Sequence, residues 1–112
     1  MGLLDLVGTN DKGHLTFGGH DCVALVEQFG TPLWVVDEQL LRSNARTYKV
    51  VIEEKYPGQA EVLYASKALP SLAIDKIVWQ EGLSLDVASA GELYCALEAG
   101  VPASSCYMHG NF

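Results

Sequence analysis

The sequence predicts an α/β fold built on parallel strands, and two observations carry that prediction. From Glu61 onward, short apolar runs alternate with amphipathic stretches in the order strand, helix, strand, helix, strand. The connections are short, and such alternation implies parallel strands joined by right-handed crossovers. In addition, polar or ionisable residues follow each apolar run, at Ser66-Lys67-Ala68, Asp86-Val87-Ala88-Ser89 and His109-Gly110-Asn111. In parallel α/β folds the carboxyl ends of the strands are where sites form.

Each element has a local cause. Asn10-Asp11-Lys12-Gly13 reads as a turn. His14 to Phe17 alternates as a short strand does, and Gly18-Gly19 ends it. Asp21 is suited to cap a helix carrying Val23, Leu25, Val26 and Phe29, with Gly30 just past its end. Thr31-Pro32 then leads into a predicted strand, Leu33 to Val36. Asp37 caps the longest predicted helix, on which Leu41, Ala45, Tyr48, Ile52 and Tyr56 make one apolar stripe before Pro57-Gly58 stops it. Glu61 to Ser66 reads as a buried strand. Pro70 suits the first turn of a helix with Leu72, Ile74, Ile77 and Val78 apolar, ending at Gly82. Leu83 to Val87 is the next strand. Ser89 and Glu92 have the spacing of a capping box ahead of Leu93, Ala96 and Leu97, and Gly100 closes that helix. Cys106 to Met108 is the third strand. Three strands cannot close a (β/α)8 barrel, which takes about 250 residues. The expectation is a fragment or a small open sheet, and the stop just beyond a strand favours the fragment.

Composition narrows the function. The chain has 112 residues, with 14 acidic against 7 basic residues and a formal net charge of -7. An acidic surface repels phosphate backbones, so nucleic acid is not an expected partner. No run reaches the roughly 18 consecutive apolar residues of a membrane span. The start, Met1-Gly2-Leu3-Leu4-Asp5, lacks the basic and apolar regions of a secretory signal. Cys22, Cys95 and Cys106 are odd in number and widely spaced, which argues against a disulfide framework and for a reducing cytoplasm. They read as core filler. No CxxC or HExxH occurs, so no metal site is expected.

Among the strand ends, Lys67 carries the strongest chemical case. Its neighbours along the chain, Leu63-Tyr64-Ala65 and Ala68-Leu69-Pro70, are largely apolar. Burial among them would favour the neutral amine, the form that condenses with an aldehyde. Position alone favours a surface lysine reaching for water. Asp86 could partner a cation, or simply cap a loop. His109 could stack on a ring or handle a proton, or bond to backbone. Ser89 and Glu92 are better explained by the capping box, Tyr64 by the core, and His14 and His20 have no chemical case.

At these residues the sequence resembles a known family. Tyr64-Ala65-Ser66-Lys67-Ala68 resembles the Y-A-x-K-A motif of the alanine-racemase-like pyridoxal-phosphate enzymes. Gly82-Leu83-Ser84-Leu85-Asp86-Val87-Ala88-Ser89-Ala90-Gly91-Glu92-Leu93 is similar to the G-x-x-x-D-V-x-S-x-G-E-L segment that follows it. His109-Gly110-Asn111 resembles the H-G-N at the end of the third barrel strand. Gly18-Gly19-His20 and Gly30 to Asp37 are similar to the leading segment of the diaminopimelate decarboxylases in particular. Four blocks in order, at family spacing, run from about Gly13 to Asn111. Leu69 stands where many relatives carry Asn, Ala90 where Gly is frequent, and Phe112 where Asn-Lys is common.

The resemblance implies the N-terminal part of a (β/α)8 barrel, about three strands of it, and a β domain made from both chain ends. Residues 1–37 would belong to the segment contributing to the β domain, and 38–112 would begin the barrel. It implies pyridoxal 5'-phosphate as cofactor, Lys67 as its covalent anchor and catalytic residue, and Ala65, Asp86 and His109 as cofactor-binding residues. The implied reaction is decarboxylation of an amino acid, with meso-diaminopimelate to L-lysine favoured, in a cytoplasmic homodimer. The rivals are an ornithine-, arginine- or carboxynorspermidine-type decarboxylase, or a non-catalytic piece. The phosphate loop, the partner of the pyridine nitrogen and the substrate arginine would lie beyond residue 112, so the piece alone is expected to be inactive.

Overall fold

Asn10 organises the first hairpin. Its side-chain oxygen accepts from the N–H of Lys12 and of His14, both at 3.0 Å, which closes the turn between β1 (Val7–Thr9) and β2 (Leu15–Phe17). Gly18 and Gly19, at φ 56 and 81, make the two-residue turn into β3 (His20–Asp21). Two successive positive φ angles are open to glycine at little cost. The three strands form an antiparallel sheet in sequence order. Asp21 then caps α1 (Cys22–Phe29), accepting from Val23 and Ala24 N–H at 2.9 and 3.3 Å. Its other oxygen takes Asn10 Nδ2 and His14 Nδ1, both at 3.0 Å. The His14 contact is the main reason that the Asp21 carboxyl is held down at about 2. One carboxylate therefore ties the hairpin to the helix.

The computed structural model describes residues 1–110. It divides into two compact units, Met1–Leu41 and the chain from Arg42 onward.

In the first unit the sequence reading needs two corrections. It predicted one strand where there are three, because β1 is fully exposed and β3 has only two residues, so neither shows an alternating pattern. It also predicted a strand over Leu33–Val36, which is not one. That segment has β-forming residues but no ladder partner among the described residues, and Trp34 is 96 % exposed. Apolarity marks a strand only where a neighbour completes its hydrogen bonds.

Asp37 does begin α2 (Glu38–Lys55), accepting from Leu40 N–H at 2.8 Å. The predicted stripe is narrower than its spacing implied: Ala45 is buried, Leu41 and Ile52 are half-buried, and Tyr48 and Tyr56 are exposed. Within the second unit, Arg42 and Arg46 of α2 both hold Glu81, at 2.8 and 2.5 Å, and keep its carboxyl below the usual range.

The second unit follows the predicted alternation: β4 (Leu63–Ala65), α3 (Leu72–Gln80), β5 (Ser84–Val87), α4 (Ala90–Glu98) and β6 (Cys106–Met108). The strands are parallel in the order β4-β5-β6. Leu85 and Val87 are wholly buried, with Ile74, Val78, Ala96 and Val101 around them, and α3 and α4 both pack on β5. Period-two alternation places Ser84 and Asp86 on the opposite face. There Glu61 accepts from Ser84 Oγ and from Tyr107 OH, both at 2.5 Å.

Three local predictions shift. β4 is shorter than Glu61 to Ser66 and not buried, since Leu63 is 37 % exposed. Pro70 lies before α3, whose N-cap is Ser71. The Ser89 hydroxyl accepts from Glu92 N–H at 3.2 Å as predicted, but the Glu92 carboxylate turns to Ala88 N–H at 2.5 Å. No helix among the described residues is long and apolar enough to cross a membrane. The three cysteines are free and half-buried, not core-buried as predicted.

Candidate active site

The carboxyl end of β4 turns into a single 3-10 turn, Ser66–Ala68, closed by Leu69 N–H on Ser66 O at 3.2 Å. Lys67 rides on that turn. Tyr64 OH reaches over it to Leu69 O at 3.4 Å. Ser66 is wholly buried, and its hydroxyl donates to the carbonyl of Asp86 at 3.0 Å. Lys67 itself is exposed, as position alone favoured, and its apolar neighbours do not shield it. The reason is local: Ala68, Leu69 and Pro70 leave the sheet with the turn and are exposed as well. No ion pair joins Lys67 to Asp86 among the described residues.

The sheet register aligns the other candidates. Ala65 pairs with Asp86, and Asp86 with Tyr107. Asp86 is half-buried, and its Oδ1 is enclosed without a hydrogen-bond partner among the described residues. A carboxylate oxygen in that condition needs a donor or a positive charge, because an unpaired buried acceptor costs roughly 1–3 kcal/mol. His109 extends the ladder beyond β6, its N–H donating to Val87 O at 3.0 Å, while its ring is exposed. Gly110 lies so close to the neighbouring loop that an added Cβ would stand 2.5 Å from the carbonyl oxygen of Ala88. Asn111, the last residue of the third candidate block, lies outside the described residues.

Ala65, Lys67, Asp86 and His109 thus lie along the carboxyl edge of the parallel sheet, the edge that the alternation pointed to. Three features there had no reading in the sequence. The buried Ser66 hydroxyl looked like a strand residue. The fit of Gly110 against Ala88 depends on contact between loops far apart in the chain. The Glu61, Ser84 and Tyr107 cluster, nearer the amino ends of β4 and β5, joins a residue before β4 to residues of β5 and β6. His14 bonds Asp21 within the hairpin, and Glu92 bonds Ala88 N–H in the loop, so the capping box predicted for Glu92 forms only through the Ser89 hydroxyl.

Residues 41–112 match the family model described as pyridoxal-dependent decarboxylase, pyridoxal binding domain. The chain belongs to that family. Its curated relatives include the diaminopimelate decarboxylases of Bacillus methanolicus and Bacillus subtilis (strain 168), 48% and 47% identical over 102 residues. Each alignment covers 91% of this chain and 23% of the relative, so the chain spans about a quarter of those proteins' length. Among solved structures, diaminopimelate decarboxylase from M. jannaschii in complex with L-lysine superposes with a TM-score of 0.80 at 34% identity. That match covers 100% of this chain and 26% of that one. The mixed α/β fold is therefore that of the corresponding region of the pyridoxal-binding barrel proteins.

Proposed function

We propose that this chain forms the cofactor-anchoring part of a pyridoxal-phosphate-dependent decarboxylase that converts meso-diaminopimelate to L-lysine. One observation carries the reading. An exposed lysine, a carboxylate with an unpartnered enclosed oxygen and an exposed imidazole stand at the ends of three adjacent parallel strands. That set fits pyridoxal phosphate. Lys67 would hold it covalently through its amine, Ala65 would leave room beside it, and Asp86 would supply the negative charge that its own unpartnered oxygen calls for. His109 would line the pocket. When bound, the cofactor supplies an electron sink for the bond that releases CO2. The residues of this chain anchor it, set the charge around it and place it at the mouth of the sheet, where a substrate bond can be oriented.

The choice of diaminopimelate rests on the relatives' names and on the leading segment Gly30 to Asp37. We read residues 1–37 as contributing to a β domain and 38–112 as the start of the barrel. The change from an antiparallel to a parallel sheet supports that division. A homodimer in the cytoplasm completes the reading, in keeping with three free cysteines. The holoenzyme should release CO2 from meso-diaminopimelate and form lysine at least tenfold faster than it acts on ornithine, arginine or carboxynorspermidine. A preference for any of those three assigns it to that type instead.

Asp86 offers a second check. Asp86→Asn keeps the shape of the side chain and removes its charge, so kcat should fall on the order of tenfold to a hundredfold. Stability in urea should not fall in proportion, because asparagine fills the same half-buried place without the unpartnered charge. Equal loss of activity and stability would make Asp86 a structural residue.

A further inference from the structure

We propose that Ser66 is a positioning residue, whose buried hydroxyl fixes the Lys67 turn against the backbone of Asp86. The proposal rests on the decarboxylase reading above and deepens it.

The Lys67 turn is weakly held by its own chemistry. It is a single 3-10 turn of three residues, with no side-chain cap, closed by one 3.2 Å backbone bond. Lys67 and Ala68 are exposed, so neither packs the turn onto the sheet. Ser66 is the exception, being 0 % exposed. The other side-chain tie, Tyr64 OH to Leu69 O, is longer, at 3.4 Å, and acts beyond the turn.

The acceptor matters as much as the donor. Ser66 Oγ bonds the carbonyl of Asp86 at 3.0 Å, not a neighbour within its own strand. The β4–β5 register ends with Ala65 opposite Asp86. The Ser66 bond thus prolongs that register by one residue, across the point where β4 stops being a strand. It links the backbone just before Lys67 to the backbone that bears the Asp86 carboxylate. Losing it frees the Lys67 amine and the Asp86 carboxylate to drift relative to each other. Misplacement of about 1 Å at a reacting group can lower a rate up to a hundredfold without touching substrate affinity.

The test uses the holoenzyme with three variants: Ser66→Ala, Ser66→Thr and, as a control on the underlying reading, Lys67→Ala. Ser66→Ala should retain bound cofactor and its visible band, lower kcat on the order of tenfold, and leave KM within about twofold. It should also move the pH midpoint of that band by roughly half a unit, because the charge around the amine has shifted. A purely structural loss would lower the melting temperature and leave that midpoint in place. Ser66→Thr keeps the hydroxyl and should recover at least half of kcat. If Ser66→Ala leaves kcat within twofold and the band midpoint unmoved, or if a soluble Ser66→Thr protein is as slow as the alanine variant, the positioning role is overturned. Should Lys67→Ala keep the wild-type band, the decarboxylase reading itself fails, and with it the ground for assigning Ser66. Loss of the band in Lys67→Ala alongside an unaffected Ser66→Ala would overturn the Ser66 proposal alone.

Discussion

Replacing Lys67 by alanine should remove the visible absorbance of bound pyridoxal phosphate and lower kcat by on the order of a thousandfold or more. The expectation rests on where the amine stands. It lies two residues beyond the register that joins Ala65 to Asp86, at the carboxyl edge of the sheet, and it is exposed. Exposure leaves the amine accessible to an incoming aldehyde. It also means that these residues do not themselves shield it from water. Stability should hardly change, because the side chain contributes no packing and no ion pair among the described residues. An absorption spectrum, a single-turnover assay and a urea titration on the same preparation check all three statements. A surviving visible band would remove Lys67 from its proposed role.

The second large effect concerns a group with no part in the site. Asp75 lies on the inner side of α3, 0 % exposed, and both of its carboxylate oxygens lack a hydrogen-bond partner among the described residues. Burial, followed by the charge of Glu92, pushes its carboxyl up from 3.8 to about 6. A folded value above the unfolded one means that the protonated acid is favoured in the fold. Its contribution is fully present below about 3.8 and is lost as pH rises through about 6. The difference corresponds to about 3 kcal/mol, reduced to about 1–2 kcal/mol once solvent screening in so small a unit is allowed for. Asp75→Leu, close in volume and apolar, should therefore stabilise the protein at pH 7.5 by about that amount. The gain should shrink at pH 4.5, where the wild-type acid is largely neutral. Urea midpoints at the two pH values check it. An equal gain at both would show that ionisation of Asp75 is not what costs stability.

The residues that made the fold legible are those whose effect is local. Asp21, Asp37 and Ser89 accept helix N–H groups as their spacing foretold, and Gly18-Gly19 turn the chain as two consecutive glycines can. The β-α-β-α-β order was readable because each of its strands is bounded by a turn signal and one of them, β5, is apolar on its covered face. What escaped depends on partners distant in sequence. Leu33 to Val36 has strand composition without a strand's neighbour. Tyr48 fits a helical stripe and is nonetheless exposed. The shielding considered for Lys67 rested on chain neighbours that leave the sheet with it, and its exposure agrees with the surface reading of its position. The site followed the same rule. Its proposed members come from strand ends and family motifs, whereas the Ser66 to Asp86 bond and the approach of Gly110 to Ala88 exist only once the strands are side by side.

The tight seat of Gly110 bears on how this edge of the sheet can be altered. Ala88 is held from one side by the carboxylate of Glu92 and meets Gly110 on the other, at a spacing that admits no Cβ. The first turn of α4, the β5 loop and the His109 backbone are therefore in mechanical series. Leu69 is exposed and presses on no such neighbour. Position 110 must stay glycine, and a change at Glu92, which bonds Ala88 at that same edge, should shift the His109 backbone.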